Sequence, residues 1–374
     1  MESLVVTPFT PNKHSGRGNR TTGIIRALAL LGRVEVAYLQ LDGGEPDHAL
    51  VANPAIELRK ISSSRGAKRA FLYRRARARG VPKEYASNLS YELFAELTET
   101  KDKSFDRVVA DSPSAAAALL LLGKKRPIYY NAHNLESALR SGRESWSKGD
   151  LYELTKFERL LLETAQESWL PSSRDISGAA KLAPEARLRF VPNVVDVSSI
   201  APVRAPRSQS ALFVADFSLA HNRRSAHFLV SEVMPLVWKQ LPQARLVLAG
   251  RRLALTGGLD SRIEVHGFVA NLPGLYAASG CALVPLLESR GSPLKLVEAM
   301  AYGLPVVATP FAAGGVDGLV SGVHYLEGDG AEGFAGAVVR ALSGRAGDVG
   351  AEARKLAESD FSIEALSRRL AEAG

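Results

Sequence analysis

The apolar positions fall in short runs separated by amphipathic stretches. Leu4-Val5-Val6-Thr7 reads as a buried strand that Pro8 ends. A Gly-containing loop, Gly16 to Arg20, and a helical stretch from Thr22 to Leu31 follow, then a strand over Val34–Leu39. This order predicts a parallel βαβ unit. Further strands are expected at 107–110, 127–131, 167–170 and 189–191, with helices between them. The second half repeats the pattern. Strands are expected at 211–215, 245–249, 263–265, 281–284 and 306–308. Helices are expected at 225–241 (broken at Pro235), near 272–279 and at 294–302, the last closed by Gly303. The fold class is therefore α/β, with two doubly wound domains.

Ser198 to Ser210 holds two prolines, four serines and little apolar content, and reads as a linker. The expected organisation is a first domain over 1–197, a linker over 198–210, a second domain over 211–350, and a helical tail over 351–374 that packs back on the first domain. Two doubly wound domains imply a cleft, with ligands beyond the carboxyl ends of the strands.

Length and composition agree with this reading. The 374 residues suit two domains at roughly 150 residues each. With 46% hydrophobic and 23% charged residues, the chain is neither disordered nor fibrous. Cys281 is the single cysteine, so no internal disulfide forms. The longest apolar run, Ala115–Leu122, is too short for a bilayer, and the N-terminus resembles no targeting segment. A cytoplasmic protein is expected. The net charge of +8 is local, because Arg59 to Lys83 carries ten Lys or Arg and no acid. Such a stretch attracts phosphates or is a solvated surface segment.

The richest loop for chemistry is Glu288 to Glu298. Gly291 and Ser292 permit close backbone approach before a helix whose N-terminus suits phosphate, and Lys295 stands one turn in. Glu298 could accept two hydrogen bonds from a diol. The same spacing fits an ordinary capped helix with a surface Lys–Glu pair. Gly16 and Gly18 could admit a phosphate or form a tight turn. His133 is a polar candidate or a structural hydrogen-bonder. There is no Asp-x-Asp, Cys cluster, G-x-S-x-G or P-loop, so metal-site, triad and NTPase readings lose their support.

Four stretches occur in order: FVPNVVD (190–196), LFVADFSLAHNRRSAHFLVSEVMPLVWKQLPQARLVLAG (212–250), HGFVANLPGLYAASGCALVP (266–285) and GSPLKLVEAMAYGLPVVAT (291–309). Through them the second half resembles the retaining glycosyltransferases of GT-B fold, glycosyltransferase family 4. The first half matches through TPFTP…GRGNR and His133-Asn134-Leu135-Glu136. The resemblance implies two Rossmann-like domains across a cleft, and a nucleoside diphosphate sugar as donor with no metal or further cofactor. It implies that Glu298 holds ribose hydroxyls and that Lys295 neutralises phosphate. Ser292, Pro293 and Leu294 would present backbone groups, and Phe268 and Val269 would border the base. Gly250 would line the donor site, Gly16 and Gly18 would approach the diphosphate, and His133 would contact the sugar. The family's usual first glutamate is Arg290 here, joining Lys295 and His133 as the catalytic set. Asn222 and Arg223 stand where the usual basic pair would be.

The acceptor expected from the resemblance is a cell-surface glycan, a lipid-linked molecule or a specialised metabolite. The basic stretch, with Arg69, Arg74, Arg75, Arg77 and Arg79, would bind that acceptor or an anionic inner membrane face. Nucleic acid is not expected as a partner. The alternatives are a non-catalytic partner subunit of the same fold and a sugar-nucleotide epimerase.

Overall fold

The computed structural model describes residues 1–13, 15–40, 44–61, 67–99, 104–121, 128–141, 146–203, 208–252, 259–269, 271–288 and 292–372. The chain divides into two compact units, Met1–Val194 with Leu366–Gly374, and Val195–Ala365.

In the first unit seven parallel strands lie in the order β3-β2-β1-β4-β5-β6-β7. They are β1 (Glu2–Thr7), β2 (Arg33–Leu39), β3 (Ile56–Ile61), β4 (Arg107–Asp111), β5 (Ile128–Asn131), β6 (Glu167–Leu170) and β7 (Leu188–Phe190). Its helices are α1 (Gly16–Ala29), α2 (His48–Val51), α3 (Ala67–Ala78), α4 (Lys83–Ser87), α5 (Tyr91–Glu99), α6 (Pro113–Leu121), α7 (Glu136–Arg140), α8 (Lys148–Thr164) and α9 (Ser173–Leu182). The loop expected over Gly16 to Arg20 is instead the first turn of α1. Ser15 caps it, accepting a hydrogen bond from the Gly18 N–H at 3.0 Å. Strand β3 was not expected, because its sequence IELRKI buries only its two end residues.

In the second unit six parallel strands run β10-β9-β8-β11-β12-β13. They are β8 (Ser210–Val214), β9 (Arg245–Ala249), β10 (Ile263–His266), β11 (Cys281–Val284), β12 (Val306–Ala308) and β13 (Leu326–Glu327). The helices are α10 (Ala220–Phe228), α11 (Met234–Gln240), α12 (Leu272–Ala277), α13 (Leu294–Ala301), α14 (Pro310–Ala313), α15 (Gly330–Leu342), α16 (Val349–Asp360) and α17 (Ile363–Ala371), the last running into the residues counted with the first unit. Pro235 sits in the first turn of α11, and a π-turn over Leu229–Val233 precedes it, so the helix is interrupted where its missing N–H requires. Cys281 is fully buried in β11, and burial pushes its thiol up to about 12.

Ser198 to Ser210, expected as a linker, falls in the second unit; residues 204–207 lie outside the described residues. Arg354 of α16 donates to the carbonyls of Val197, Ile200 and Ala301, and the Val203 N–H reaches the Tyr302 carbonyl at 2.7 Å. The tail divides too, with α16 in the second unit and Leu366–Gly374 counted with the first. Among the described residues no helix is long and apolar enough to cross a membrane.

Both sheets share one topology. In each, the order reverses beside the first strand, between β1 and β4 and between β8 and β11. Ligands in open α/β sheets bind beyond the carboxyl ends of the strands at such reversals.

Candidate functional site

At the first reversal, β1 ends and α1 begins. A Cβ on Gly18 would lie 2.0 Å from the Asn12 carbonyl oxygen, so the start of α1 packs directly on the preceding loop. Gly16 meets nothing within 4 Å. The Arg17 guanidinium lies 4.3 Å from the Phe9 ring centroid. Arg20 points inward instead. It donates to the Val191 carbonyl at 2.8 Å and to Asn193 Oδ1 at 3.1 Å. Burial pulls its pKa down to about 10, against the opposing pull of Asp111 and Asp175.

The centre of this region is a residue the sequence reading missed, Asp111, at the end of β4. Its Oδ1 accepts from Asn131 Nδ2 at 2.7 Å and meets His133 Nε2 at 2.7 Å. Its Oδ2 accepts from the Thr21 hydroxyl at 2.8 Å. Burial alone would raise this carboxyl, but the charge and hydrogen bond of His133 and the hydroxyls of Thr21 and Thr7 outweigh it and hold it below the usual range. An ionised Asp111 requires the proton of His133 to sit on Nε2. The buried Nδ1 has no partner among the described residues and is the ring atom left to meet a ligand. The next residue, Ser112, is buried with φ of 93°, a sparsely populated conformation for a residue other than glycine. Its hydroxyl is unpaired among the described residues.

At the second reversal, α13 carries Lys295 and, three residues on, Glu298, both partly exposed. Lys295 Nζ donates to Asn222 Oδ1 at 2.7 Å and sits 5.0 Å from the Phe213 ring centroid. No carboxylate pairs with it among the described residues, and burial pulls its pKa down to about 8. Asn222 is held in turn by its Nδ2, which donates to the Asp216 carbonyl at 2.8 Å. Burial raises the Glu298 carboxyl, which has no hydrogen-bond partner among the described residues. Tyr276 and Tyr302, stacked at 3.9 Å between ring centroids, both feel its charge and were not anticipated. Pro293 is the N-cap of α13 and Leu294 its first residue, and the proline side chain makes no capping hydrogen bond. Ser292 is half-buried just before them. Arg290 and Gly291 lie outside the described residues.

The remaining candidates border the same strand ends. Gly250 has φ of 148°, and a Cβ there would lie 1.7 Å from the Ala215 carbonyl oxygen. Only glycine lets the turns after β8 and β9 touch. Phe268, just past β10, is 70% exposed, whereas Val269 packs against the core. Arg223 donates to the carbonyls of Phe217 and Ser218 at 2.8 and 2.7 Å, so it braces the loop after β8. Arg224 pairs with Glu288.

The basic stretch departs from the free patch its composition suggested. Arg69 donates to the Ser87 carbonyl, and Arg77 holds Glu153 and the Val81 carbonyl. Arg75 and Arg79 reach the Leu121 and Leu120 carbonyls at the end of α6, where a helix leaves its carbonyls unpaired. Arg74 is exposed. Among the described residues no group of three or more His, Cys, Asp or Glu could hold a metal ion.

The fold is that of the GT-B glycosyltransferases. The chain is similar to HepE of Anabaena in complex with UDP-glucose, with TM-score 0.69 and 16% identity over 99% of this chain and 98% of that one. It is similar to sucrose-phosphate synthase of Thermosynechococcus elongatus, with TM-score 0.72 and 16% identity over 100% and 98%. WaaG, a glycosyltransferase involved in lipopolysaccharide biosynthesis, gives TM-score 0.65 and 16% identity over 99% of both chains. Residues 208–344 match the family model described as glycosyl transferases group 1. No curated protein matches the chain.

Proposed function

We propose that the protein is a retaining glycosyltransferase that moves a sugar from a nucleoside diphosphate sugar to an acceptor and needs no metal. The observation that carries this reading is the pair on α13. Lys295 and Glu298 sit one turn apart at the start of a helix whose N-cap residue, Pro293, makes no side-chain cap, and neither has a partner of opposite charge among the described residues. Keeping two such groups unpaired is costly unless a ligand completes them. A nucleoside diphosphate does so, with its phosphates at Lys295 and the helix N-terminus and its ribose diol at Glu298. The group 1 match spans this stretch, and HepE and TarM have both been seen with UDP, which favours a UDP-sugar donor.

In the proposed reaction the bond between the sugar and the diphosphate oxygen breaks. Lys295 and the α13 N-terminus stabilise the charge that develops on the diphosphate. The acceptor oxygen bonds to the anomeric carbon, and its proton passes to a leaving phosphate oxygen. No strong protein base is then required. His133 meets the donor sugar through Nδ1.

A thermal-shift panel with UDP, GDP, ADP and their sugar conjugates, run beside Glu298→Ala, tests the donor site. One nucleotide should raise the melting temperature of the native protein and leave the variant unmoved. A panel in which no nucleotide shifts the folded protein rejects the reading in favour of a non-catalytic relative of this fold.

The acceptor proposed is a cell-surface or lipid-linked glycan reached at an anionic membrane face. WaaG and WaaB, both named for lipopolysaccharide, support that class. The membrane contact would be the exposed Lys68, Phe71 and Arg74, three residues apart along α3, because the other arginines are engaged within the chain. Vesicles containing phosphatidylglycerol should co-sediment the protein, and Phe71→Ser with Arg74→Glu should release it. Native protein that stays in solution removes this part of the proposal.

A further inference from the structure

The loop that carries His133 is very short, and the structure ties it down on both sides. Before it, the Ala132 N–H donates to the Trp169 carbonyl of β6 at 3.0 Å. After it, three consecutive N–H groups end on two buried carboxylates. The Leu135 N–H donates to Asp175 Oδ1 at 3.1 Å. The Glu136 N–H donates to Glu158 Oε1 at 2.6 Å, and the Ser137 N–H to Oε2 at 3.0 Å. The Ser137 hydroxyl donates to the same Oε2. Only His133 and Asn134 lie between the anchors.

These carboxylates come from two different helices, α8 and α9, and are only 3% and 5% exposed. Helix α7 begins at Glu136 with no cap from its own N-cap residue, Leu135. Glu158 supplies the missing acceptor from α8, where a negative charge also complements the helix dipole. Asp175 is fixed by Ser172, whose hydroxyl donates to Oδ2 at 2.5 Å and accepts from the Asp175 N–H at 3.1 Å. Gly178 keeps α9 close, since a Cβ there would lie 2.6 Å from Leu135 Cδ2. The groups around Glu158 do not neutralise it. They are Tyr85 of α4, Tyr130 of β5 and Glu136 of α7, with Ser137 beside it. Burial pushes its carboxyl up to about 7 against the hydrogen bonds from Ser137 and Glu136. An apolar residue at this place in α8 would avoid that cost, and the backbone it holds is what it gains.

We infer that Glu158, assisted by Asp175, is a positioning residue that sets the backbone of the His133 loop and so the geometry of the imidazole against Asp111. This rests on the reading of His133 as a donor contact only for its effect on turnover. The positioning itself is independent of any substrate.

The experiment uses the full chain with 15N-labelled histidine. The chain has seven histidines, so six serve as internal controls, and His133→Ala assigns the remaining signal. In Glu158→Gln one of the two N–H donors faces an amide NH2 instead of an oxygen. The ring-nitrogen signals of His133 should shift as its distance to Asp111 changes, while those of the other six stay in place. Amide exchange at residues 136 and 137 should quicken by about tenfold or more. Hydrolysis of UDP-glucose should lose about tenfold in kcat with KM unchanged. A folded Glu158→Gln protein whose His133 signal and 136–137 exchange match the native protein overturns the inference. If Glu158→Gln does not fold, Ser137→Ala and Asp175→Asn make smaller cuts in the same clamp, and an unmoved His133 signal in both overturns it equally. His133→Ala with native hydrolysis defeats the donor-contact reading and leaves the positional result standing.

Discussion

The two strand reversals treat charge in opposite ways. In the first unit Asp111 is saturated by Asn131, Thr21 and His133, and the loop beyond is pinned by Glu158 and Asp175. In the second, Lys295 has only the neutral Asn222 and the Phe213 ring, and the Glu298 carboxylate has no hydrogen-bond partner, among the described residues. A saturated network fixes geometry before a ligand arrives, whereas unpaired charges store binding energy that only a ligand releases. On the proposed function, the first region serves orientation and the second affinity.

Substitutions should separate these designs. The largest effect is expected from Gly18→Ala, where the added carbon meets the Asn12 carbonyl oxygen at 2.0 Å. A backbone oxygen cannot step aside cheaply, so a loss of about 3 kcal/mol or more should show in urea unfolding. Asp111→Asn should cost about 2–3 kcal/mol by leaving buried donors without a charged acceptor. It should also alter the acid limb of stability. The folded pKa of Asp111 lies below its usual 3.8, so its contribution is present above that value and lost as pH falls through the folded pKa. The native protein should therefore lose stability below about pH 4 more steeply than the variant.

Lys295→Met should act in the reverse sense. Its folded pKa, about 8, lies below the ordinary 10.5, so the unfolded chain binds more protons between those values. Native stability then rises with pH across that window, and the variant should lack the rise. Near neutral pH the ligand-free variant should melt a few degrees higher than the native protein while losing any nucleotide-induced shift. The smallest effect is Gly16→Ala, where the new carbon meets nothing within 4 Å and stability should stay within about 0.5 kcal/mol. A large loss there would mean the start of α1 is as tightly built at Gly16 as at Gly18.

The same contrast explains what the sequence disclosed. Lys295 and Glu298 were legible because one helix turn carries both, and local spacing encodes their relation. The Asp111 cluster was not. Thr21, Asp111, Asn131 and His133 come from α1, β4, β5 and the loop after it, and only the strand order assembles them. An aspartate ending a strand predicted next to the reversal was the available signal. The arginines of α3 misled in the other direction. Their composition suggests an open patch, but Arg69, Arg75 and Arg79 reach carbonyl groups, and Arg77 the Glu153 carboxylate, all distant enough in sequence that no local pattern reveals them. Strand β13, two residues long, offered no run to detect.

The single thiol has a practical use. Cys281 is sealed inside β11 with its pKa pushed up to about 12, so it resists thiol reagents while the protein stays folded. A cysteine engineered on the surface would therefore be the sole target for a maleimide dye. Two such positions, one in each unit, would give a clean donor–acceptor pair for single-molecule fluorescence without first removing the native thiol. The distance between the units could then be followed as nucleotide is added.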